Sequence, residues 1–329
     1  MVKKSLLRKL KRAKLDCEQG KSRTPFSFDF PVATAGMGKT WGYLMPLYRA
    51  IPNDGAAWIT GGSSGFGRAI AKELAAAGFT VAVTARDEDP IDTLIAETEA
   101  LPGRILAYPC DVTDEKRMAA TVAAIEKDVG PVALAIFNAG SYVPVAGENL
   151  SVRKFRNAYE VNLLGVLNGL VPAVRCMKMR GRGQIVLVGS VSAYFGWPTT
   201  AAYGATKAGL NNMAESLKFD LDKINVRIQI VNPGFIDTPL VQKSGLRLPA
   251  TLSPEAAARR MVRVIDRGGF ETSFPRRLTW CLKFLSILPR ALTLRFVKIL
   301  TGWEKRPLSF GARVSRPDAD ISESMPNPN

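Results

Sequence analysis

From Ala56 onward, short apolar runs alternate with segments whose apolar residues recur at helical spacing. Ala57–Thr60, Thr80–Thr84, Ile105–Pro109, Val132–Phe137, Gln184–Gly189 and Val226–Val231 read as strands. Between them the spacing predicts helices over Gly65–Ala77, Ile91–Ala100 and Asp114–Asp128. It also predicts one long helix over about Lys154–Met179 and another running to about Leu221. Such alternation is the mark of an α/β, doubly wound parallel sheet with helices on both faces and right-handed crossovers. A ligand is expected at the carboxyl ends of the strands, near the switch point after the first.

The two ends break this pattern. Met1–Leu15 mixes leucines with seven Lys/Arg, as a basic amphipathic helix would, and residues 20–40 are rich in Gly, Pro, Ser and Thr, as a linker is. Either this is an arm for a membrane or partner, or the true start is Met37 or Met45. No apolar stretch follows the basic start as a signal peptide requires. Residues 275–303 fit two short helices separated by Pro289, with Leu292, Phe296, Ile299 and Leu300 on one face. Each is too short to span a bilayer. Basic residues beside Trp, Phe and Leu suit a helix lying in a membrane interface, or else a cover for a pocket or a subunit contact. The organisation read from the chain is therefore a basic, disordered extension over 1–53, a catalytic domain over 54–274, basic amphipathic helices over 275–306 and a disordered tail over 307–329.

Charge sharpens that division. The net charge is +16, with nine Lys/Arg against two acids in residues 1–23 and sixteen against four in residues 241–316, whereas residues 24–240 carry twenty of each. Basic ends of this kind suit an anionic membrane surface; the first lacks the interleaved aromatics that nucleic-acid binding would use. Cys17, Cys110, Cys176 and Cys281 are widely spaced and there is no histidine, which argues against a metal site and for a reducing, cytoplasmic setting.

The absence of histidine also excludes Ser-His-Asp hydrolysis and leaves another residue to move protons near neutrality. Tyr203 and Lys207 lie four residues apart, about one helical turn, so they share a face. An ammonium beside a phenol favours the phenolate, and so should lower a pKa that is ordinarily about 10. Ser190 lies thirteen residues earlier and can hold a carbonyl oxygen. Far upstream, Thr60-Gly61-Gly62-Ser63-Ser64-Gly65-Phe66-Gly67 follows a strand and opens a helix, the setting in which a glycine turn cradles a pyrophosphate.

In this order the motifs resemble those of the short-chain dehydrogenase/reductase family over about Ala56–Phe274. Asp111 in Cys-Asp-Val-Thr-Asp, Asn138-Ala139-Gly140, Asn162 in Val-Asn-Leu-Leu-Gly, and Pro233-Gly234 with Thr238 complete the set. The resemblance implies a Rossmann-like sheet of about seven strands in the order 3-2-1-4-5-6-7. It implies Tyr203 as proton donor, Lys207 as its partner and a holder of the nicotinamide ribose, Ser190 on the substrate oxygen, and Asn162 behind a relay water. Gly61, Ser63, Ser64, Gly65, Phe66 and Gly67 would then hold the pyrophosphate, and Asp111 and Val112 the adenine. Asn138, Ala139 and Gly140 would line the cofactor path, and Pro233, Gly234, Ile236 and Thr238 would flank the nicotinamide. Family members are commonly dimers or tetramers.

After the second strand comes Ala85-Arg86-Asp87, with Ala85 where many relatives carry an acid for the ribose hydroxyls. Arg86 suits a 2′-phosphate, favouring NADPH over NADH, although Asp87 could take the ribose in a shifted register. Tyr142, Tyr194, Trp197 and neighbouring aromatic residues make the expected pocket large and apolar, fit for a ketone or aldehyde on a lipid-like substrate. The competing readings are an NAD-dependent alcohol dehydrogenase and a non-catalytic dinucleotide sensor.

Overall fold

The computed structural model describes residues 47–238 and 251–306. The basic segment at the start, Leu240 and the tail from residue 307 lie outside them. Seven strands form one sheet in the order β3-β2-β1-β4-β5-β6-β7, and all pairings are parallel. The strands are β1 Ala56–Thr60, β2 Thr80–Thr84, β3 Arg104–Ala107, β4 Val132–Phe137, β5 Gly183–Val188, β6 Val226–Pro233 and β7 Glu271–Phe274. β1, β4 and β5 are buried along their whole length, as strands covered on both faces must be.

The helices between them are α1 Gly65–Ala76, α2 Asp89–Glu97, α3 Glu115–Asp128, α4 Val152–Tyr159, α5 Gly165–Arg180, α6 Ala201–Leu221 and α7 Pro254–Arg267. α3 begins where Asp114 accepts from the Arg117 amide at 2.9 Å, and α7 where Ser253 accepts from the Ala256 amide at 3.2 Å, ahead of Pro254. One apolar cluster joins the sheet to α1, α2 and α7. The other joins it to α3, α5 and α6, with Trp58 at its centre and the indole nitrogen donating to Thr84 Oγ1 at 2.9 Å.

Two elements differ from the sequence reading. The helix expected over Lys154–Met179 is interrupted by a π-helical turn at Glu160–Leu164, between α4 and α5. The turn carries the buried side chain of Asn162, which is bonded to Ser141 and Thr206 instead of pointing to solvent. Hydrophobic periodicity cannot register one extra residue in a turn. Residues 47–53, read from the sequence as part of the extension, pack on the sheet. The Ala50 amide donates to Gln184 Oε1 at 2.9 Å, and Arg227 donates to the carbonyls of Leu47 and Tyr48, tying this segment to β5 and β6.

Beyond β7 come α8 Arg276–Ile287 and α9 Arg290–Thr301, on either side of Pro289. Their inner residues Leu282, Leu285 and Val297 pack against Val191 and Phe195, in the stretch that follows Ser190. The face read from the sequence, Leu292, Phe296, Ile299 and Leu300, is the outward one and is exposed. No helix of the described residues is long and apolar enough to cross a membrane.

Candidate active site

β4 and β5 are neighbours, so Asn138-Ala139-Gly140 and Ser190 emerge side by side at the carboxyl edge of the sheet. α6 packs on β6 and on the 3-10 turn after Ser190, and brings Tyr203 and Lys207 to the same place from successive turns. The Lys207 ammonium donates to the Val188 carbonyl at 2.7 Å and lies 5.5 Å from the centroid of the Tyr203 ring. Burial drives the Lys207 pKa down to about 8.

The Tyr203 phenol behaves differently from the sequence expectation. Burial pushes its pKa up to about 12; a hydrogen bond with Ser190 pulls it back, and Tyr142 adds a smaller push upward. The expected lowering by Lys207 does not appear among the causes: desolvation favours the neutral phenol, and the ammonium is turned onto a carbonyl. Near pH 7 the phenol therefore keeps its proton and is poised as a donor.

Ser190 is held from both ends. Its amide donates to Asn232 Oδ1 at 2.9 Å. Its Oγ accepts from the Ser192 amide at 3.1 Å and from the Ser192 hydroxyl at 2.9 Å. Asn162 clamps the loop after β4: its Oδ1 accepts from the Ser141 amide at 2.7 Å, and its Nδ2 donates to the Ser141 carbonyl at 2.9 Å and to Thr206 Oγ1 at 3.1 Å. A Cβ on Gly140 would lie 3.8 Å from Lys207 Nζ, so this clamped loop runs past the lysine.

The expected substrate residues divide. Tyr142 stands edge-on to Tyr203 with centroids 5.5 Å apart, and its hydroxyl bonds Thr199 Oγ1 at 2.8 Å. Trp197 stacks on Phe195 and meets Phe235 edge-on. Tyr194 turns away: its hydroxyl donates to Glu271 at 2.9 Å, which ties it to β7.

The glycine turn fits an anionic dinucleotide. Gly61 has φ +66°, and a Cβ on Gly67 would meet the Gly61 carbonyl oxygen at 2.1 Å, so the turn closes only without side chains there. α1 opens behind it with no side chain capping its first turn, leaving the Gly65, Phe66 and Gly67 end free to receive a phosphate. Asn138 Nδ2 braces the turn through the Thr60 and Gly61 carbonyls at 3.2 and 2.9 Å. Thr238 faces Gly65 across it. Around this turn, Arg86 is exposed just past β2, while Val112 is buried and its carbonyl accepts from Asn168. Asp111 Oδ1 is occupied by the Thr113 amide and hydroxyl. Pro233 ends β6, the Gly234 amide donates to the Phe274 carbonyl at 2.7 Å, and Ile236 is buried beside it.

Sequence reasoning passed over several supports. Thr60 Oγ1 accepts from the Asn138 and Ala139 amides, both at 3.2 Å. Asn232, Thr206 and Ser192 each hold a named site residue. The signal available for Thr60 and Asn232 was a polar residue at the end of an apolar strand; Thr206 carries none beyond its place one residue before Lys207.

Known proteins share this fold. The short chain dehydrogenase family model matches residues 55–248. The 3-oxoacyl-[acyl-carrier-protein] reductase MabA of Mycobacterium tuberculosis is 35% identical over 184 residues, covering 56% of this chain and 70% of that protein. An uncharacterized oxidoreductase of Myxococcus xanthus is 30% identical over 236 residues, covering 72% and 93%. Among solved structures, an alcohol dehydrogenase from the archaeon Thermococcus sibiricus, complexed with 5-hydroxy-NADP, superposes with a TM-score of 0.60 at 25% identity, covering 67% of this chain and 95% of that one. The chain belongs to the short chain dehydrogenase family and is an NAD(P)-dependent oxidoreductase acting on CH–OH and carbonyl groups.

Proposed function

We propose that the protein is an NADPH-dependent reductase of a ketone or aldehyde on a bulky, apolar, lipid-like substrate, working at an anionic membrane surface. The observation that carries the reaction is the meeting of a protonated Tyr203, Ser190 and Lys207 beside the glycine turn. Tyr203 gives its proton to the substrate oxygen, and Ser190 holds that oxygen as charge develops on it. NADPH, when bound, supplies the hydride to the carbonyl carbon. Lys207 would hold the nicotinamide ribose, and the clamp from Asn162 to Ser141 keeps the loop beside Lys207 in place.

The turn from Gly61 to Gly67, with Ser63, Ser64, Gly65 and Phe66, would hold the pyrophosphate. Asp111, Val112 and Asn138–Gly140 would line the nucleoside path, and Pro233, Gly234, Ile236 and Thr238 the nicotinamide. Arg86, exposed after β2, suits the 2′-phosphate, and the NADP-type ligand of the Thermococcus sibiricus enzyme supports that choice. The 3-oxoacyl-carrier reductase among the relatives supports a ketone on an acyl chain. The apolar wall of Phe195, Trp197 and Phe235 supports a bulky substrate, and the outward apolar face of α8 and α9 supports membrane attachment of a cytoplasmic protein. The family's usual assembly makes a homodimer or homotetramer the expected state.

The test is NADPH against NADH oxidation by purified protein over ketones of rising acyl length. Rates that rise with chain length and prefer NADPH support the reading; activity confined to short polar ketones overturns the substrate class. An Arg86→Asp variant that gains NADH use at the expense of NADPH would assign the 2′-phosphate to Arg86. A wild-type preference for NADH would favour an NAD-dependent alcohol dehydrogenase.

A further inference from the structure

Four arginines outside the reaction site converge on one cleft. Arg260, Arg263 and Arg267 project from α7, and Arg276 from the start of α8; together with Thr272 and Ser273 of β7 they line a space of about 290 Å³. None of the four pairs with a carboxylate among the described residues; the ion pairs on α7 are made by its neighbours Arg259, with Glu73, and Asp266, with Arg49. Arg263 Nε donates to the Arg259 carbonyl at 3.1 Å, which fixes that side chain. Unpaired guanidiniums beside the Thr272 hydroxyl are the donor set of a phosphate site, Ser273 being turned to Tyr194 on the other face of β7.

The cleft continues into an apolar surface. Arg276, Trp280, Phe284 and Ile287 follow at intervals of four, four and three residues, so they share one face of α8. Trp280, Phe284 and Ile287 are 73%, 64% and 81% exposed. One residue, Arg276, thus belongs both to the cationic cleft and to the head of an apolar stripe. A second copy of the chain is a poor occupant: an isologous contact sets a patch against itself, and would bring eight unpaired guanidiniums together.

We infer that the Arg260–Arg263–Arg267–Arg276 cleft binds the phosphate headgroup of an anionic phospholipid in a bilayer, while Trp280, Phe284 and Ile287 lie among its acyl chains. The inference rests on the membrane-surface reading above and names the site and lipid chemistry through which it acts. The site lies apart from Tyr203 and would orient the enzyme on the bilayer, not take part in hydride transfer.

Full-length protein is sedimented with vesicles of phosphatidylcholine alone and of phosphatidylcholine containing phosphatidic acid. The double variant Arg263→Gln/Arg267→Gln and the variant Phe284→Ser are run alongside. Wild type is expected to bind the phosphatidic acid vesicles and to bind pure phosphatidylcholine far less. The arginine variant is expected to lose at least about tenfold in apparent affinity, given roughly 1 kcal/mol per basic residue near such a surface. Phe284→Ser is expected to lose binding too, and both variants are expected to keep wild-type circular dichroism and wild-type reduction of a soluble ketone. Equal binding to both vesicle types, or an arginine variant that binds as wild type, overturns the headgroup site and leaves membrane attachment standing. Displacement by inorganic phosphate alone at matched ionic strength would make it a free-anion site and overturn the lipid assignment. Binding to neither vesicle sinks the headgroup site and the membrane reading together.

Discussion

The reaction site and the α8–α9 pair spend polar groups in opposite ways. Around Tyr203, nearly every polar atom is tied down: Asn162 makes three bonds, Ser190 is held at its amide and its oxygen, and Lys207 rests on a carbonyl. On α8 and α9, aromatic and aliphatic side chains face outward, and the nearby cleft gathers arginines that have no acid partner. Most polar groups of the first arrangement are met within the protein, because a buried polar group without a partner is costly; Trp197 Nε1 is the buried exception in the site wall. The second leaves apolar side chains exposed and four guanidiniums without an acid partner among the described residues. Burial by itself therefore does not mark function here; what separates the two regions is whether the demands of the side chains are met internally.

The hardest test of this contrast falls on the site. Tyr203→Phe removes one oxygen from a scaffold held by other residues. Turnover should fall by about 10²–10⁴-fold, with NADPH binding followed by fluorescence nearly unchanged. Equal loss of binding would mean that the phenol holds the site together instead of serving it.

Asn162→Ala is next in size. It leaves the Ser141 amide and carbonyl without their partner, at a cost of about 1–3 kcal/mol, while the Thr206 hydroxyl keeps its bond to the Tyr203 carbonyl. Thermal unfolding should shift down by several degrees, and kcat should fall with little change in the soluble substrate's KM. An unshifted melting curve would remove Asn162 from the supports of the site.

The pH profile gives a smaller effect with a definite sign. Burial lowers the Lys207 pKa from about 10.5 to about 8, so the ammonium is present below that value and lost above it. The Tyr203 phenol keeps its proton up to about 12 and does not limit the same range. In the free enzyme, kcat/KM for NADPH in the reducing direction should fall as pH rises through about 8. A profile flat to pH 10 would show that the charge on Lys207 is not required.

The smallest effect is expected on the outer face. Ile287→Ser alters a side chain that is already exposed, so stability should change by no more than about 0.5 kcal/mol in chemical unfolding. A loss of several kcal/mol would mean that this face is covered in the native protein and would weaken the contrast between the two regions.

The sequence by itself determined the sheet, because fully apolar strands alternating with amphipathic helices leave few ways to bury both faces. It also singled out the proposed catalytic trio, since Tyr203 and Lys207 share a helix face and Ser190 stands at a strand end, all local relations. Tertiary structure alone decided the rest. The π turn at Glu160–Leu164 holds Asn162 in bonds with Ser141, twenty-one residues away. The high pKa of Tyr203 follows from burial by distant elements, which a count of neighbouring charges cannot supply. The bond of the Tyr194 hydroxyl to Glu271 joins groups seventy-seven residues apart. The arginine cleft likewise joins α7 to the start of α8 across β7. Periodicity and motif spacing report what a residue does to its own element; which groups meet across elements, and which stay unpaired, is fixed only when the chain closes on itself.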